Sequence, residues 1–421
     1  MSREVTVTGY GVRTAFGAGV DALRRGVFAG VPAFRATTRF DTGPYRTAFA
    51  AAAPEGGADA VEGWALREAL GQCGDEALLM AGLGVGSEAA VLLGVAGDHQ
   101  SVTRYWRGGE GSGVGRGSDV AGRAHAAEPQ MSQPRAPEGA LPSPELNNVA
   151  DAVPALLASL LAGRLRLVGP QLTFTNACVA SAAALIHGCR LISSGRVDVA
   201  VCAGGYLVEE ETFAKFNSGR ALSGDGTVRP FSADRSGLLL GDGVAAVVLE
   251  SAEHARRRGA RSLASVVGWG AATDAHHIAQ PHPEGVGLAR AARQALRLAG
   301  DPDGASLDYI NAHGTGTKYN DGAETRGLHA ALGKRAESIP VSSTKSTTGH
   351  LLEAAGVVEF VITMLTLLDG VLPPTAGYRT PDPECDLDYV PNTPRPADPR
   401  RALTINAAFG GANTALVLER P

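Results

Sequence analysis

The chain has 421 residues, of which 44% are hydrophobic and 19% charged, so it has enough apolar material for about two or three globular domains. Its net charge of -5 argues against a general nucleic-acid binder, and its five cysteines, with no Cys-x-x-Cys pair, indicate neither a disulfide framework nor a zinc site. The N-terminus lacks the apolar core of a signal peptide, and apolar stretches such as Val361 to Leu368 are too short to span a bilayer. We therefore expect a cytoplasmic protein that binds neither nucleic acid nor membrane.

The first part of the chain alternates short predicted strands and helices. A strand over residues 5–8 precedes a short helix over 20–29 and a second helix over 59–72, for which Asp59 is a candidate N-cap. The glycine turn at 82–86 lacks the lysine of a P-loop and the spacing of a dinucleotide fingerprint. A nucleotide site is therefore not predicted here.

From about residue 97 to 144 the composition shifts to Gly, Arg, Ser and Pro, which predicts a long surface loop or flap. Beyond it, helices are predicted over 149–162 and 182–193, and strands over 171–175 and 197–202. Several arginines of the flap could contact an acidic protein partner, although a solvated basic loop is an equal alternative; they are Arg104, Arg107, Arg116 and Arg123.

The chain then repeats two short patterns in the same order. The segment 7–14 is matched at 266–273 by the leading Val, both Gly, an aromatic residue and the final Thr, and 246–250 resembles 415–419. Two such matches suggest a duplicated α/β unit, and buried strands alternating with helices favour a mainly parallel or mixed sheet covered on both faces. The two similar halves, which would meet at a cleft, are placed at residues 1–255 and 260–421.

A β-prone run ends abruptly at Cys178, and small residues of good helix propensity follow it. A strand that breaks into a helix here would place the sulfur at a helix N-terminus, where free N–H groups and the macrodipole stabilise thiolate over thiol. This arrangement would make a nucleophile of a residue that is mostly protonated at neutral pH. The alternative is a structural cysteine buried at a strand end, because free cysteine is among the most buried residue types.

Two histidines in the second half stand at the mouths of polar loops. His313 follows an apolar run and precedes Gly-Thr-Gly-Thr, and His350 lies near the start of an apolar helix. A histidine at a helix N-terminus tends to be neutral, so its ring can both donate and accept hydrogen bonds. Each histidine alone could equally be structural, and their spacing does not suit a compact zinc site.

Taken together, these segments resemble the β-ketoacyl synthase family of condensing enzymes. Asn176-Ala-Cys178-Val-Ala-Ser is similar to the family's nucleophile segment, and His313-Gly-Thr-Gly-Thr to its first histidine motif. Lys345-Ser-Thr-Thr-Gly-His350 is similar to its lysine and second histidine, and the segment 406–413 to its C-terminal glycine loop. The resemblance implies an α/β thiolase-like fold, in which the duplicated halves form a layered α-β-α-β-α arrangement.

The resemblance also implies roles for these residues. Cys178 would take an acyl group from a thioester on the phosphopantetheine of an acyl carrier protein, with no other cofactor and no metal. His313 and His350 would stabilise the enolate formed after decarboxylation, and Lys345 and Glu324 would order this array electrostatically. The remaining implied positions are a supporting Asp321, the oxyanion-hole and gating loop at Ala407, Phe409 and Gly410, and the phosphopantetheine or substrate contacts Thr315, Thr317, His277 and Ala279.

Two positions depart from the family's pattern. Ala407-Ala408-Phe409 places a methyl group where extending members carry a bulky gating phenylalanine, and Ala279 stands where a threonine near the malonyl carboxylate is usual. The changes could be neutral, or they could accompany a different carbon–carbon bond formation.

Three hypotheses follow from the resemblance. The first is a homodimeric ketosynthase of bacterial polyketide or antibiotic biosynthesis. The second is a ketosynthase-derived cyclase that releases a tethered chain by an intramolecular aldol-type, lactam- or lactone-forming reaction. The third, a non-catalytic chain-length partner subunit, is disfavoured by the intact set of Cys178, His313 and His350.

Overall fold

The computed structural model describes residues 3–53, 66–98 and 150–421. The predicted flap at 97–144 lies outside these residues apart from positions 97 and 98, as does the candidate N-cap Asp59. The strands of the described residues are β1 (Val5–Thr14), β2 (Gly17–Ala18), β3 (Arg35–Ala36), β4 (Phe49–Ala50), β5 (Ala90–Gly94), β6 (Gln171–Phe174), β7 (Val199–Tyr206), β8 (Gly243–Ser251), β9 (Ala264–Thr273), β10 (Tyr309–Asn311), β11 (Val341–Ser342), β12 (Val371–Leu372), β13 (Arg395–Pro396), β14 (Arg401–Ala407) and β15 (Ala412–Glu419).

Helices separate most of these strands, and several begin or end in a tighter or wider turn. A π-helical turn, Arg24–Phe28, continues the first helix, and short 3₁₀ turns occur at Ala177–Val179, Gly333–Ser338, Leu352–Ala354 and Phe409–Gly411. The α-helices are α1 (Gly19–Leu23), α2 (Leu66–Ala81), α3 (Pro154–Leu165), α4 (Ala180–Ser193), α5 (Glu210–Ser218), α6 (Ala252–Arg257), α7 (Val286–Leu298), α8 (Lys318–Leu332), α9 (Lys345–Thr348) and α10 (Ala355–Asp369).

One large mixed sheet runs through both halves of the chain in the order β6-β5-β7-β8-β1-β9-β15-β14-β10-β11. The central pair β1 and β9 is antiparallel, and on each side of it the next two pairings are antiparallel and the last two parallel. The sequence segments that repeat each other lie in β1 and β9, and in β8 and β15, which occupy equivalent places. This architecture confirms the predicted α/β class, whereas the exact bounds of the halves stay a prediction.

Two buried helices, α4 and α10, start in the same way. Each is preceded by a 3₁₀ turn whose first residue has a positive φ, 53° at Ala177 and 44° at Leu352. The helices cross closely: the Ser181 hydroxyl accepts a hydrogen bond of 3.0 Å from the Val357 N–H. A Cβ at Gly356 would lie 2.4 Å from the backbone N of Ala182. Cys178 and Glu353, the second residues of the two turns, therefore occupy matching positions.

Several predicted element bounds shift in the structure. Helix α2 continues to Ala81 because its apolar positions pack inward, and it ends before Gly82, which has a φ of +65°. Helix α3 starts five residues later than predicted, at Pro154, whose fixed φ suits the first turn of a helix. None of the described helices is long and apolar enough to cross a membrane.

Candidate active site

Cys178 lies in the turn that connects β6 to α4, as predicted, and its side chain is buried. Burial raises the pKa of the Cys178 thiol to about 12; the Glu353 carboxylate raises it further and the Lys345 ammonium lowers it. Desolvation therefore outweighs the thiolate stabilisation expected from a helix N-terminus. The resting site holds a thiol, which must lose its proton when it reacts.

The two predicted histidines lie against each other. The ring centroids of His313 and His350 are 5.2 Å apart, with an interplanar angle of 84°. Among the described residues the Nδ1 atoms of both rings have no hydrogen-bond partner, although both side chains are buried. Within the described residues, neither ring is therefore held by a hydrogen bond at Nδ1.

Both imidazoles are neutral at ordinary pH. Burial lowers the pKa of His313 well below its usual range, and the charges of Lys345 and His350 lower it further. Burial, followed by the Lys345 charge, likewise lowers the pKa of His350. A neutral imidazole carries one N–H, which can donate to a developing oxyanion without a change of protonation state.

Glu324 holds the loop that carries His313. Its Oε1 accepts a hydrogen bond of 2.6 Å from the His313 N–H and its Oε2 one of 2.7 Å from the Gly314 N–H. Burial raises the pKa of Glu324 to about 7, although these two hydrogen bonds favour the ionised carboxylate and lower the pKa. Glu324 therefore positions the histidine loop through the backbone, and its carboxylate does not pair with Lys345.

The partner of Lys345 is Glu359 on α10, which the sequence interpretation missed. Lys345 Nζ donates a hydrogen bond to Glu359 Oε1, and Asn406 Nδ2 donates one of 2.6 Å to Oε2. A lone glutamate within the apolar, buried helix α10 was the available signal, since a buried carboxylate needs a partner. The pair fixes the Lys345 ammonium beside both histidines and Cys178.

Asp321 is a second backbone support. It is buried, and its carboxylate accepts hydrogen bonds from the N–H groups of Phe231 at 2.8 Å and of Gly316 at 3.2 Å. Thr315 and Thr317 lie on the same loop with their hydroxyl oxygens 2.8 Å apart. The loop is therefore preformed, and the predicted contact of its threonines with a phosphopantetheine arm stays a prediction.

The predicted gating loop packs beside the second histidine. Ala407 ends β14, and the half-exposed Phe409 stacks on Phe216 with ring centroids 5.5 Å apart. Phe216 in turn lies edge-on to His350, at 6.5 Å between centroids. The Gly410 N–H donates a hydrogen bond of 2.7 Å to the Ile278 carbonyl, so it is already engaged and ties the loop to the 274–282 segment.

His277 and Ala279 are exposed on that segment. His277 Nδ1 accepts hydrogen bonds from the N–H groups of Ala279, at 3.0 Å, and Gln280, at 3.1 Å. The imidazole therefore stabilises its own turn. Within residues 3–53, 66–98 and 150–421, no cluster of metal-ligating side chains occurs.

The active-site elements converge where the halves meet. The Ala177–Val179 turn packs against the Leu352–Ala354 turn and against β14 and β15, while Lys345 acts electrostatically on Cys178, His313 and His350. The arrangement combines a buried thiol nucleophile with two neutral hydrogen-bond donors and a fixed cation. These are groups suited to acyl transfer and to stabilising a carbanion next to a carbonyl.

Comparisons with known proteins agree with this chemistry. Residues 2–255 match the model of the beta-ketoacyl synthase N-terminal domain, and residues 263–379 match that of its C-terminal domain. The tetracenomycin polyketide synthase ketoacyl synthase alpha subunit of Streptomyces glaucescens is 36% identical over 100% of this chain and 97% of its own. The 3-oxoacyl-[acyl-carrier-protein] synthase 2 of Vibrio harveyi is 33% identical over 99% of both. The structure of the ishigamide ketosynthase/chain length factor superposes with a TM-score of 0.84 at 32% identity, covering 100% of both chains.

Proposed function

Because the chain belongs to the beta-ketoacyl synthase family, we propose that it forms carbon–carbon bonds in polyketide biosynthesis from thioesters carried on the phosphopantetheine of an acyl carrier protein. The observation that carries this function is that two neutral imidazoles 5.2 Å apart and the Cys178 thiol all lie within reach of the buried Lys345 ammonium. The proposed reaction requires no cofactor other than the phosphopantetheine of the carrier protein, and no metal.

The first half-reaction is acyl transfer. The Cys178 sulfur forms a bond to the thioester carbonyl carbon, the carbon–sulfur bond to phosphopantetheine breaks, and the departing thiolate takes up the proton lost by Cys178. The buried thiol favours this exchange over hydrolysis, since water is largely excluded from the sulfur. The product is an acyl-Cys178 thioester and a free carrier thiol.

The second half-reaction generates and uses a carbanion. A malonyl thioester loses carbon dioxide, and the electron pair of the broken bond moves into an enolate whose oxygen accepts hydrogen bonds from His313 and His350. The enolate carbon then attacks the acyl-Cys178 carbonyl, and the cysteine sulfur leaves. The Lys345–Glu359 pair holds its positive charge near the developing oxyanion throughout.

A second polypeptide is proposed to complete the assembly. β6, which leads directly to Cys178, is an edge strand of the sheet, and its residues are partly or fully exposed. An unpaired edge is a template for pairing with another chain. A homodimer is the arrangement we propose, and a heterodimer is the alternative favoured by the similarity to a ketosynthase/chain length factor. The location proposed is the cytoplasm.

The cyclase remains a second candidate because of one observation at position 279. Ala279 offers no hydroxyl, and its N–H is already donated to His277, so position 279 itself presents no donor to a malonyl carboxylate. A cyclase that keeps acyl transfer but forms a bond between two parts of the same acyl chain would not need that donor.

Intact-mass measurement with purified acyl and malonyl carrier proteins tests these proposals. We expect an acyl adduct on the wild-type chain and carbon dioxide release on addition of malonyl carrier protein. Cys178→Ala should abolish the adduct, while Cys73→Ala, at a buried cysteine on α2, should retain it. A stable adduct with no decarboxylation would favour the cyclase, and no adduct in the wild type would overturn acyl transfer.

A further inference from the structure

Glu353 occupies the position in the second half that Cys178 occupies in the first. Its turn, Leu352–Ala354, packs against the Ala177–Val179 turn and also against β7. The Glu353 side chain lies beneath the surface but is not fully closed off from solvent. The turn that carries this carboxylate therefore packs against both the nucleophile turn and β7.

Two further groups extend this acidic cluster, which consists of Tyr206, Glu209 and Glu353. Tyr206 ends β7 with 6% of its surface exposed, and among the described residues its hydroxyl has no hydrogen-bond partner. Glu209, 7% exposed, precedes α5. The Glu353 turn packs against β7, whose last residue is Tyr206, and Glu209 follows Tyr206 by three residues. In agreement with this placement, burial and then the charges of Glu209 and Glu353 raise the pKa of Tyr206.

No cation of the described residues is paired with the carboxyl groups of this cluster. Within the described part of the chain, Glu353 accepts no hydrogen bond from another residue and forms no ion pair, and Glu209 accepts one of 2.6 Å from Thr212 Oγ1. Lys215 is the cation whose charge reaches Glu353, but its largely exposed ammonium is bound to Glu211 at 2.6 Å. Burial raises the pKa of Glu209 to about 8 and also raises the pKa of Glu353, so without a cation both carboxyl groups favour their protonated forms. A cationic ligand would stabilise the ionised carboxylates.

The placement also opposes the reaction of Cys178. When ionised, Glu353 disfavours the thiolate, and this effect exceeds the favourable effect of Lys345. A cation bound at Glu353 would cancel that penalty at the moment of acyl transfer.

We propose that the acidic cluster of Tyr206, Glu209 and Glu353 binds a basic nitrogen borne by the acyl group delivered to Cys178, so that the enzyme selects aminoacyl over plain alkyl chains. The inference rests on the proposed acyl-transfer function and names its substrate class. The protonated amine donates hydrogen bonds to the two carboxylates and to the phenol oxygen, all of which can accept. A plain alkyl chain would leave the carboxyl groups desolvated and unpaired, and a carboxylated chain would be repelled.

A matched substrate series tests the proposal. Pantetheine thioesters of 4-aminobutanoate and 6-aminohexanoate are compared with those of pentanoate and heptanoate, in which a methyl group replaces the ammonium. The rate of Cys178 acylation is followed by intact mass. In the wild type we expect at least one aminoacyl thioester to react about tenfold faster or more than its alkyl counterpart, the size typical of a hydrogen-bonded charge.

Variants assign the preference to the cluster. Glu353→Gln should remove the preference by slowing the aminoacyl thioester and speeding the alkyl one, and Glu209→Gln should reduce it. Glu253→Gln, at an exposed residue of α6, should leave the ratio unchanged. Thermal unfolding of each variant identifies loss of fold, and Tyr206→Phe supplies a third measurement if either glutamine variant does not fold.

The outcomes separate the inference from the function on which it rests. Alkyl thioesters that acylate wild-type Cys178 as fast as both aminoacyl thioesters would overturn the aminoacyl preference while supporting acyl transfer. A preference that persists unchanged in the folded cluster variants would overturn the assignment to the cluster. Failure of every thioester to acylate Cys178 would overturn the proposed function together with the inference.

Discussion

Lys345 and Glu359 form an ion pair in which each side chain is only 1% exposed. The pair connects α9, which precedes His350, to the central helix α10. Asn406 donates a hydrogen bond to the second carboxylate oxygen of Glu359. Two charges buried this deeply depend on each other, because either one alone would be buried without an opposite charge.

Removing one member of this pair is expected to destabilise the protein. Lys345→Met should lower the free energy of unfolding by about 3–5 kcal/mol, since it leaves Glu359 buried and unpaired. The double variant Lys345→Met/Glu359→Leu should recover much of that loss and remain inactive in decarboxylation. Chemical denaturation and carbon dioxide release measure the two effects. Equal stability of the single and double variants would contradict the mutual dependence.

Glu324→Gln tests the positioning of His313. A glutamine has one acceptor oxygen where the carboxylate uses two, so the His313 and Gly314 N–H groups can no longer both be bound as they are. We expect decarboxylation to fall about tenfold or more, the typical contribution of a well-placed donor, while acylation of Cys178 changes little. An equal loss in both half-reactions would indicate general disruption instead of a displaced histidine.

The stability contributed by Glu209 should depend on pH. Burial raises the pKa of Glu209 to about 8 in the folded protein, whereas a glutamate in the unfolded chain titrates near about 4.3. The folded state therefore binds this proton more tightly, and the associated stability is fully present below about 4.3 and is lost as pH rises through about 8. The melting temperature of the wild type relative to Glu209→Gln should fall over this interval. A difference that is constant with pH would contradict the raised pKa.

Ala279→Thr distinguishes the two candidate functions. If the enzyme decarboxylates a malonyl thioester, the added hydroxyl gives its carboxylate a hydrogen-bond donor, and carbon dioxide release should rise severalfold. If it acts as a cyclase, release should stay at the background level of Cys178→Ala. Because Ala279 is exposed, the substitution should leave the melting temperature within about a degree of the wild type.

Gly356→Ala tests the crossing of the central helices. A Cβ here would lie 2.4 Å from the Ala182 N, so the helices must separate, and we expect a loss of about 1–3 kcal/mol in stability together with reduced acylation. Gly163→Ala is the matched control, since a Cβ at this helical glycine meets nothing within 4 Å. It should stabilise α3 by about 0.5–1 kcal/mol. Similar effects of both substitutions would exclude the steric explanation.

The sequence predicted the parts of the site that depend on local order. The residues next to Cys178 predict its strand-to-helix turn, and those next to His313 predict its place at the mouth of a loop. The structure brings His313 and His350 together. The order and setting of the motifs also predicted the family and the α/β fold.

Other features depend on contacts between distant segments. The Lys345–Glu359 pair joins residues in different elements, so no local pattern shows it. The predicted electrostatic role of Lys345 and Glu324 stays a prediction, and the Lys345 charge lowers the pKa that burial raises at Glu324. The pKa of Cys178 is governed by burial, which a helix N-terminus does not reveal. Helix ends also shifted, because a tertiary contact such as that of α2 with the sheet extends a helix beyond its local signal.

The approach of Gly356 to Ala182 means that α4 and α10 are spaced by main-chain atoms. The Ser181 hydroxyl also joins the two helices. We therefore expect that replacement of residues around the acyl group, away from this crossing, leaves the sulfur in place relative to the histidines. Different residues therefore determine which acyl group is bound and where the reacting groups lie. Related enzymes could exchange one acyl group for another by changing only the residues that line its site.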